Sequence, residues 1–140
     1  MDEEGHALVG ELQSLVGLAR GLYESREYGK CIRECMAMAD SVNAYFDRHT
    51  PWELAKRAEG QAQLHAICTA CLESFRLLCI VLKPIIPKIA DRAESFLQIS
   101  ELDFASSAAL MGPGHRIGAY RHLTKRVDPA IVEQAFPRQH

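Results

Sequence analysis

Ala62-Gln-Leu-His-Ala-Ile-Cys-Thr-Ala-Cys-Leu-Glu-Ser-Phe-Arg-Leu-Leu-Cys-Ile-Val-Leu82 is the stretch on which the fold turns. Leu64, Cys68, Cys71, Phe75, Leu78 and Leu82 recur at spacings of four and three, which places them on one face of an α-helix. Such a face has to be covered by others like it. Upstream, Leu8, Leu12, Leu15, Ala19 and Leu22 mark a helix from about Ala7 to Glu24. Tyr28, Ile32, Cys35, Ala39, Val42 and Phe46 mark another from about Arg26 to Arg48. No segment reads as a strand, so the chain is predicted to be all-α, an antiparallel helical bundle in which the three stripes bury one another. Gly5, Gly10, Gly17 and Gly21 weaken the first helix by on the order of 1 kcal/mol each, making it the least stable of the long ones. Ser25 is placed to cap the second helix, and Arg48 lies near its negative end.

The connections carry their own signals. Thr50-Pro-Trp-Glu53 has the form of a capping box with proline at the first helical position, predicting a short helix of about two turns that ends near Gly60. In Lys83-Pro-Ile-Ile-Pro-Lys88, Pro84 disfavours helix at Lys83, so the third helix breaks and a fourth follows, striped by Ile86, Ile89, Ala93 and Phe96 to about Leu97. Beyond it the periodicity fades. Leu102 to Leu110 reads as a short helix capped by Ser100, Gly112-Pro-Gly114 as a turn, and Asp128-Pro129 as the start of a terminal helix to Phe136. Residues 1–98 thus form the bundle, and residues 99–140 an extension with short helices packing back on it.

At 140 residues the chain is long enough to bury a core without disulfides or metals. Its composition, 48% hydrophobic and 24% charged, is that of an average globular domain and excludes wholesale disorder. No apolar run approaches the roughly 20 residues of a membrane span. Met1-Asp-Glu-Glu4 lacks the basic and apolar regions of a secretory signal, so the expected address is cytoplasmic, with no membrane partner. The net charge of -2 gives no global attraction to nucleic acid, so such binding would rest on a local patch. One candidate patch holds Arg116, Arg121, Lys125 and Arg126 with His115 and His122 between them, in a stretch without acids from Asp103 to Asp128. It reads as a solvated tail, an RNA-backbone contact or a partner surface.

Cys31, Cys35, Cys68, Cys71 and Cys79 are an odd number of cysteines. Cys68-Thr-Ala-Cys71 has the CxxC spacing of zinc and redox sites, but both thiols fall on the apolar face of the third helix, where cysteine acts as a small hydrophobe. The expectation is reduced, buried thiols and no metal. The six histidines form no metal-binding pattern, and Ser25, Ser41 and Ser74 read as cap or helix-surface residues rather than nucleophiles.

That leaves Trp52, the only tryptophan. On the first turn of a helix, beside Arg48, His49, Lys56 and Arg57, its ring is either a core anchor or a platform on which a base could stack. Arg48, Lys56 and Arg57 are then candidate phosphate contacts, with the helix N-terminus also favouring phosphate. Asn43, Tyr45 and Asp47 read chiefly as residues that cap and orient the turn carrying Thr50 and Pro51.

Tyr23-Glu-Ser-Arg-Glu-Tyr-Gly-Lys30, Arg33-Glu-Cys-Met-Ala-Met-Ala-Asp40, Asn43-Ala-Tyr-Phe-Asp47 and Pro51-Trp-Glu-Leu-Ala-Lys56 together resemble the anticodon-binding helical domain of methionyl-tRNA synthetase. Phe75-Arg-Leu-Leu78, Leu82-Lys-Pro-Ile-Ile-Pro-Lys88 and Ala93-Glu-Ser-Phe-Leu97 are similar to the family's next helix, its proline break and the helix after that. Gly114-His-Arg-Ile117 and Lys125-Arg-Val-Asp128 look like the stretch returning toward the family's catalytic body. The resemblance covers roughly residues 12 to 136. It implies the tRNA anticodon-binding part of a class I synthetase, with Trp52 as the tryptophan packing on an anticodon base, and partners in a methionine-accepting tRNA and a catalytic part in the same or another chain.

The resemblance is incomplete in an informative way. The family's asparagine and arginine companions to that tryptophan sit on a helix preceding the one that starts this sequence, and neither Asn43 nor Arg48 substitutes for them. The HIGH-like and KMSKS-like signatures, the cysteine-rich metal knuckle and any glycine-rich nucleotide loop are absent from these 140 residues. ATP and methionine would bind a catalytic domain elsewhere, so this chain holds no cofactor and alone should be inactive. The alternative expectation is a structural or assembly module that docks on a catalytic polypeptide with little tRNA contact of its own; a thiol or zinc protein built on Cys68 and Cys71 is the third.

Overall fold

The computed structural model of the chain describes residues 1–124 and Ile131. The terminal helix expected over 129–136, with Lys125 and Arg126, lies outside the described residues. Within them the structure is all helical: α1 (Glu3–Glu24), α2 (Tyr28–His49), α3 (Pro51–Leu54), α4 (Gln61–Leu82) and α5 (Pro87–Leu97), with 3-10 turns at Ala58–Gly60 and Ala105–Ala108.

α4 is the central helix, packing against α1, α2, α3 and α5. With the 3-10 turn before it, Ala58–Leu82 is long and apolar enough by length and composition to cross a bilayer, contrary to the expectation that no run approached that length; half of its apolar window is buried inside the bundle, as in a core helix. Being surrounded, α4 has no single seam. Its deepest residues are Ile67, Ala70, Ser74, Leu77, Ile80 and Val81, whereas Leu64, Cys68, Cys71, Phe75, Leu78 and Leu82 are half-buried.

α1 starts a turn earlier than its stripe suggests, because the Asp2 side chain caps it by accepting from the Gly5 amide at 2.7 Å. Its stripe is buried as expected, from Leu8 to Leu22, with Val9 and Val16 added to it. Gly5 is a point of close approach: a methyl group there would meet Ala70 Cβ at 2.8 Å and Asp2 Oδ1 at 2.7 Å. Gly10, Gly17 and Gly21 face open space. The α1–α2 hairpin turns through Arg26 in the left-handed region, with Glu27 N–H donating to Leu22 C=O at 2.8 Å. Ser25 therefore closes α1 rather than capping α2, which begins at Tyr28 without a side-chain cap.

α2 is rotated from its expected seam. Cys31, Cys35 and Tyr45 are buried, while Tyr28, Ile32 and Phe46 are exposed. The apolar residues spread over more of the helix circumference than the core can cover. The α2–α3 corner differs too. Thr50 adopts a left-handed conformation (φ 42, ψ 57) and its side chain makes no cap bond, so the capping box does not form, and α3 is a single turn. With so few aligned peptides, α3 has little dipole to offer a phosphate.

At the proline break Lys83 keeps helical dihedrals and the chain turns back through Ile85 and Ile86, whose amides both donate to Leu82 C=O at 2.9 Å. α5 follows with Pro87 in its first turn; Ala90, Ala93 and Leu97 are its buried residues, and Ile86, Ile89 and Phe96 are half-buried. The expected helix over Leu102 to Leu110 is reduced to the 3-10 turn, tied by Asp103 Oδ1 accepting from Ser106 N–H at 2.7 Å, with no cap from Ser100. Gly112 and Gly114 turn with positive φ.

The segment after α5 is fastened to the bundle by a buried ion pair absent from the sequence reading. Arg76 donates to Glu73 Oε2 at 2.9 Å and also to the carbonyls of Ser106 (3.0 Å) and Ala109 (2.6 Å); Glu73 Oε1 accepts from Met111 N–H at 2.6 Å. Gln13 adds a bond to Ser107 C=O at 3.0 Å. Every charge of the pair thus finds a partner that also fixes the strap.

Candidate nucleic-acid interface

Pro51 is buried and Leu54 half-buried, so α3 is fastened by its first and last residues and the ring between them is left outward. Trp52 is 46% exposed. Its inner side lies against Phe46 at the end of α2, ring centroids 5.8 Å apart and tilted by 51°. The ring is therefore not the core anchor that was one expectation for it: it rests on an aromatic neighbour that is itself exposed and offers surface to solvent. Gly60 permits the arrangement from the far side, since a methyl group there would sit 2.9 Å from the Leu54 carbonyl.

The basic residues around it are not equivalent. Arg48 donates to Glu4 Oε1 and Lys56 to Glu53 Oε1 at 2.8 Å, both pairs exposed. Arg57 has no ion pair among the described residues, and its guanidinium stands in solvent. Exposed pairs are worth little and are readily exchanged for a phosphate. Neither His49 nor Tyr45 joins the exposed set. His49 is held by Glu4 Oε2 at 2.8 Å and packs on the ring of Tyr45 at 4.5 Å. Tyr45 is buried, its hydroxyl donating to Asp2 Oδ1 at 3.0 Å. Burial and the Asp2 carboxylate both push the Tyr45 phenol well above its ordinary range. Burial would raise Asp2 as well, but the Gly5 amide and Tyr45 hydroxyl outweigh it and hold the carboxyl below 3.8. Hydrogen bonding from His49, then Arg48, lowers Glu4.

The other candidate patch is only partly described. Arg121 and His122 line a cleft of about 580 Å³ with Asp91, Arg92, Ser95 and Phe96, and Tyr120 stands edge-on to Phe96 at 6.0 Å. His115 Nε2 is 2.6 Å from Leu97 C=O and Arg116 is exposed. All five cysteines are free; Cys31, Cys35 and Cys79 are buried and Cys68 and Cys71 half-buried. Burial pushes Cys35 and Cys71 up to about 11 and Cys79 up to about 12, keeping these three thiols protonated and poorly nucleophilic near neutrality. Among the described residues no three His, Cys, Asp or Glu side chains are placed to share a metal ion.

The family described as the anticodon binding domain of methionyl tRNA ligase matches residues 1–131. The chain belongs to that family. Methionine–tRNA ligase of Methylibium petroleiphilum is 45% identical over 133 residues, covering 95% of this chain and 19% of the relative. The ligase of Albidiferax ferrireducens is 44% identical over 139 residues, 99% of this chain and 20% of the relative. The chain therefore spans about a fifth of the length of these relatives. In fold it is similar to the apo methionyl-tRNA synthetase of Mycobacterium tuberculosis, with a TM-score of 0.85 at 20% identity over 92% of this chain and 27% of that one. The same enzyme in complex with methionyl-adenylate superposes with a TM-score of 0.84 at 20% identity, over 90% of this chain and 26% of that one. As an anticodon-binding domain, this chain presents its aromatic corner at the α2–α3 junction. Sequence reading missed what braces that corner, because Asp2, Glu4 and Tyr45 meet across more than forty positions and no local pattern joins them.

Proposed function

We propose that this domain holds the anticodon end of a methionine-accepting tRNA, with Trp52 as the surface on which a base stacks, while a catalytic part in the same or another chain uses ATP to join methionine to that tRNA. The observation that carries the reading is the half-exposed Trp52 ring backed by Phe46, in a chain of the anticodon-binding family. A base can cover the outer side of such a ring without disturbing the inner one. Stacking of this kind is worth about 1 to 3 kcal/mol per base. Arg57 is the cation best placed to meet a phosphate at no internal cost, with Arg48 and Lys56 able to trade their exposed carboxylate partners for one. Phosphate contacts supply affinity and salt dependence, and the base contact supplies choice.

Replacement of Trp52 by alanine tests this. Binding of a methionine-accepting tRNA at fixed salt is expected to weaken about tenfold or more, in line with loss of one stacked base. Unchanged affinity with the helical circular dichroism intact would refute the reading.

A further inference from the structure

Trp52 is carried by a backbone that would not choose its own conformation. Thr50, a β-branched residue, sits at φ 42 and ψ 57, a region such residues avoid unless their surroundings enforce it. Thr50 is held locally by its amide donating to Asp47 C=O at 3.3 Å and its carbonyl accepting from Glu53 N–H at 2.9 Å, and the α2 turn before it is tied to the start of the chain. The first turn of α1 is bonded to the last turn of α2 at three points: Asp2 to the Tyr45 hydroxyl at 3.0 Å, Glu4 Oε2 to His49 Nε2 at 2.8 Å, and Glu4 Oε1 to the Arg48 guanidinium. Asp2 is fixed in turn by the Gly5 amide, and Tyr45 is 1% exposed with its ring against His49. The α2 C-terminus, an end that would ordinarily fray, is thereby held one residue before Thr50, chiefly through buried Tyr45 and half-buried His49, the Arg48 pair being exposed and exchangeable.

We propose that Asp2 and Glu4 are positioning residues for the base platform: they hold the last turn of α2 so that left-handed Thr50 aims Pro51 into the bundle and Trp52 outward. The inference rests on the tRNA-binding reading above for its consequence, but its structural content is independent of it. Neither carboxylate touches the ring. Without them the α2 end loosens, Thr50 relaxes toward the extended region that a residue before proline favours, and Trp52 loses its fixed relation to Phe46. Glu4 also occupies Arg48, so the same carboxylate that sets the platform restrains one of the cations beside it.

The test uses the full chain and its single tryptophan, whose emission reports the platform and nothing else. Two variants keep size: Glu4→Gln at the surface removes the charge and leaves one acceptor oxygen where Glu4 offers two, and Tyr45→Phe in the core removes the hydroxyl that donates to Asp2. Both are expected to increase acrylamide quenching of Trp52 and shift its emission to the red with helical circular dichroism unchanged, and to weaken methionine-accepting tRNA about fivefold, the scale of a change made through a neighbour rather than at the contact. The charge-reversed pair Glu4→Arg with Arg48→Glu is expected to be quenched less than Glu4→Arg alone, since it rebuilds the pair between positions 4 and 48 though not the bond to His49, a recovery that loss of fold stability in general would not give. Quenching unchanged in Glu4→Gln overturns the proposal by itself, whether or not Tyr45→Phe folds. If quenching rises in these variants while Trp52→Ala binds tRNA as the parent does, the positioning role stands and the tRNA reading falls; if Trp52→Ala loses binding while quenching and affinity in Glu4→Gln match the parent, the reverse holds.

Discussion

The α1–α4 seam and the α2–α3 corner are held together by opposite means. Along the seam, Leu8, Leu12, Leu15, Val16 and Ala19 meet Ile67, Ala70, Leu77 and Ile80 in a dry core where apolar burial dominates. At the corner, a four-residue helix stands on one buried proline, one exposed aromatic pair and a set of carboxylate bonds, over a left-handed threonine. The seam makes stability and needs no particular partner to be understood. The corner gives up some stability to keep a large aromatic in water, which fits the base platform proposed for it.

The largest effect should come from breaking the buried ion pair on α4 that fastens the segment after α5, away from the corner. Glu73→Ala leaves Arg76, whose side chain is 4% exposed, as an unpaired buried charge and frees the Met111 amide. A loss of about 3 to 5 kcal/mol is expected in urea unfolding, with Trp52 emission in the folded state unchanged. A red shift there would show that the two regions are coupled. Next is Gly5→Ala, where seam and corner meet: the added methyl would collide with Ala70 and Asp2, costing about 1 to 3 kcal/mol, and here Trp52 quenching should rise as well. Unfolding measured by circular dichroism alongside fluorescence separates the two effects.

Acidification should act on the corner first. The folded pKa of Asp2 lies below its ordinary 3.8, so its bonds contribute fully above that value and are lost as the pH falls through the lower, folded one. Glu4 behaves in the same direction. The thermal midpoint is expected to fall from about pH 5 downward, and Asp2→Asn to flatten that profile; an identical profile in the variant would remove Asp2 from the account. The smallest change belongs to Arg57→Ala, expected to lower the slope of log affinity for tRNA against log salt by about 1, with base preference unaffected. An unchanged slope would take Arg57 out of the interface.

The seam was the legible part. Spacing identified Leu8 through Leu22 as a buried stripe, and Pro84 marked the break between α4 and α5. It failed where a helix is covered on more than one side, as in α4, or carries apolar residues on an open face, as Tyr28, Ile32 and Phe46 do on α2. Trp52 was visible because it is unique and follows Thr50-Pro51, yet the capping box that seemed to explain it is not made. Its real support, Asp2 and Glu4 on Tyr45, Arg48 and His49, is a tertiary arrangement between charged residues that look like ordinary surface. The Glu73–Arg76 pair was hidden likewise, since two charges three apart on a helix usually face water.

The measurement that tests the central claim most directly is the emission of Trp52 during titration with a methionine-accepting tRNA, followed beside an independent binding signal such as filter retention. Stacking on a base predicts saturable quenching with the same midpoint as binding. Full binding with the tryptophan emission unmoved would contradict it, and would place the tRNA contact on some other face of the domain.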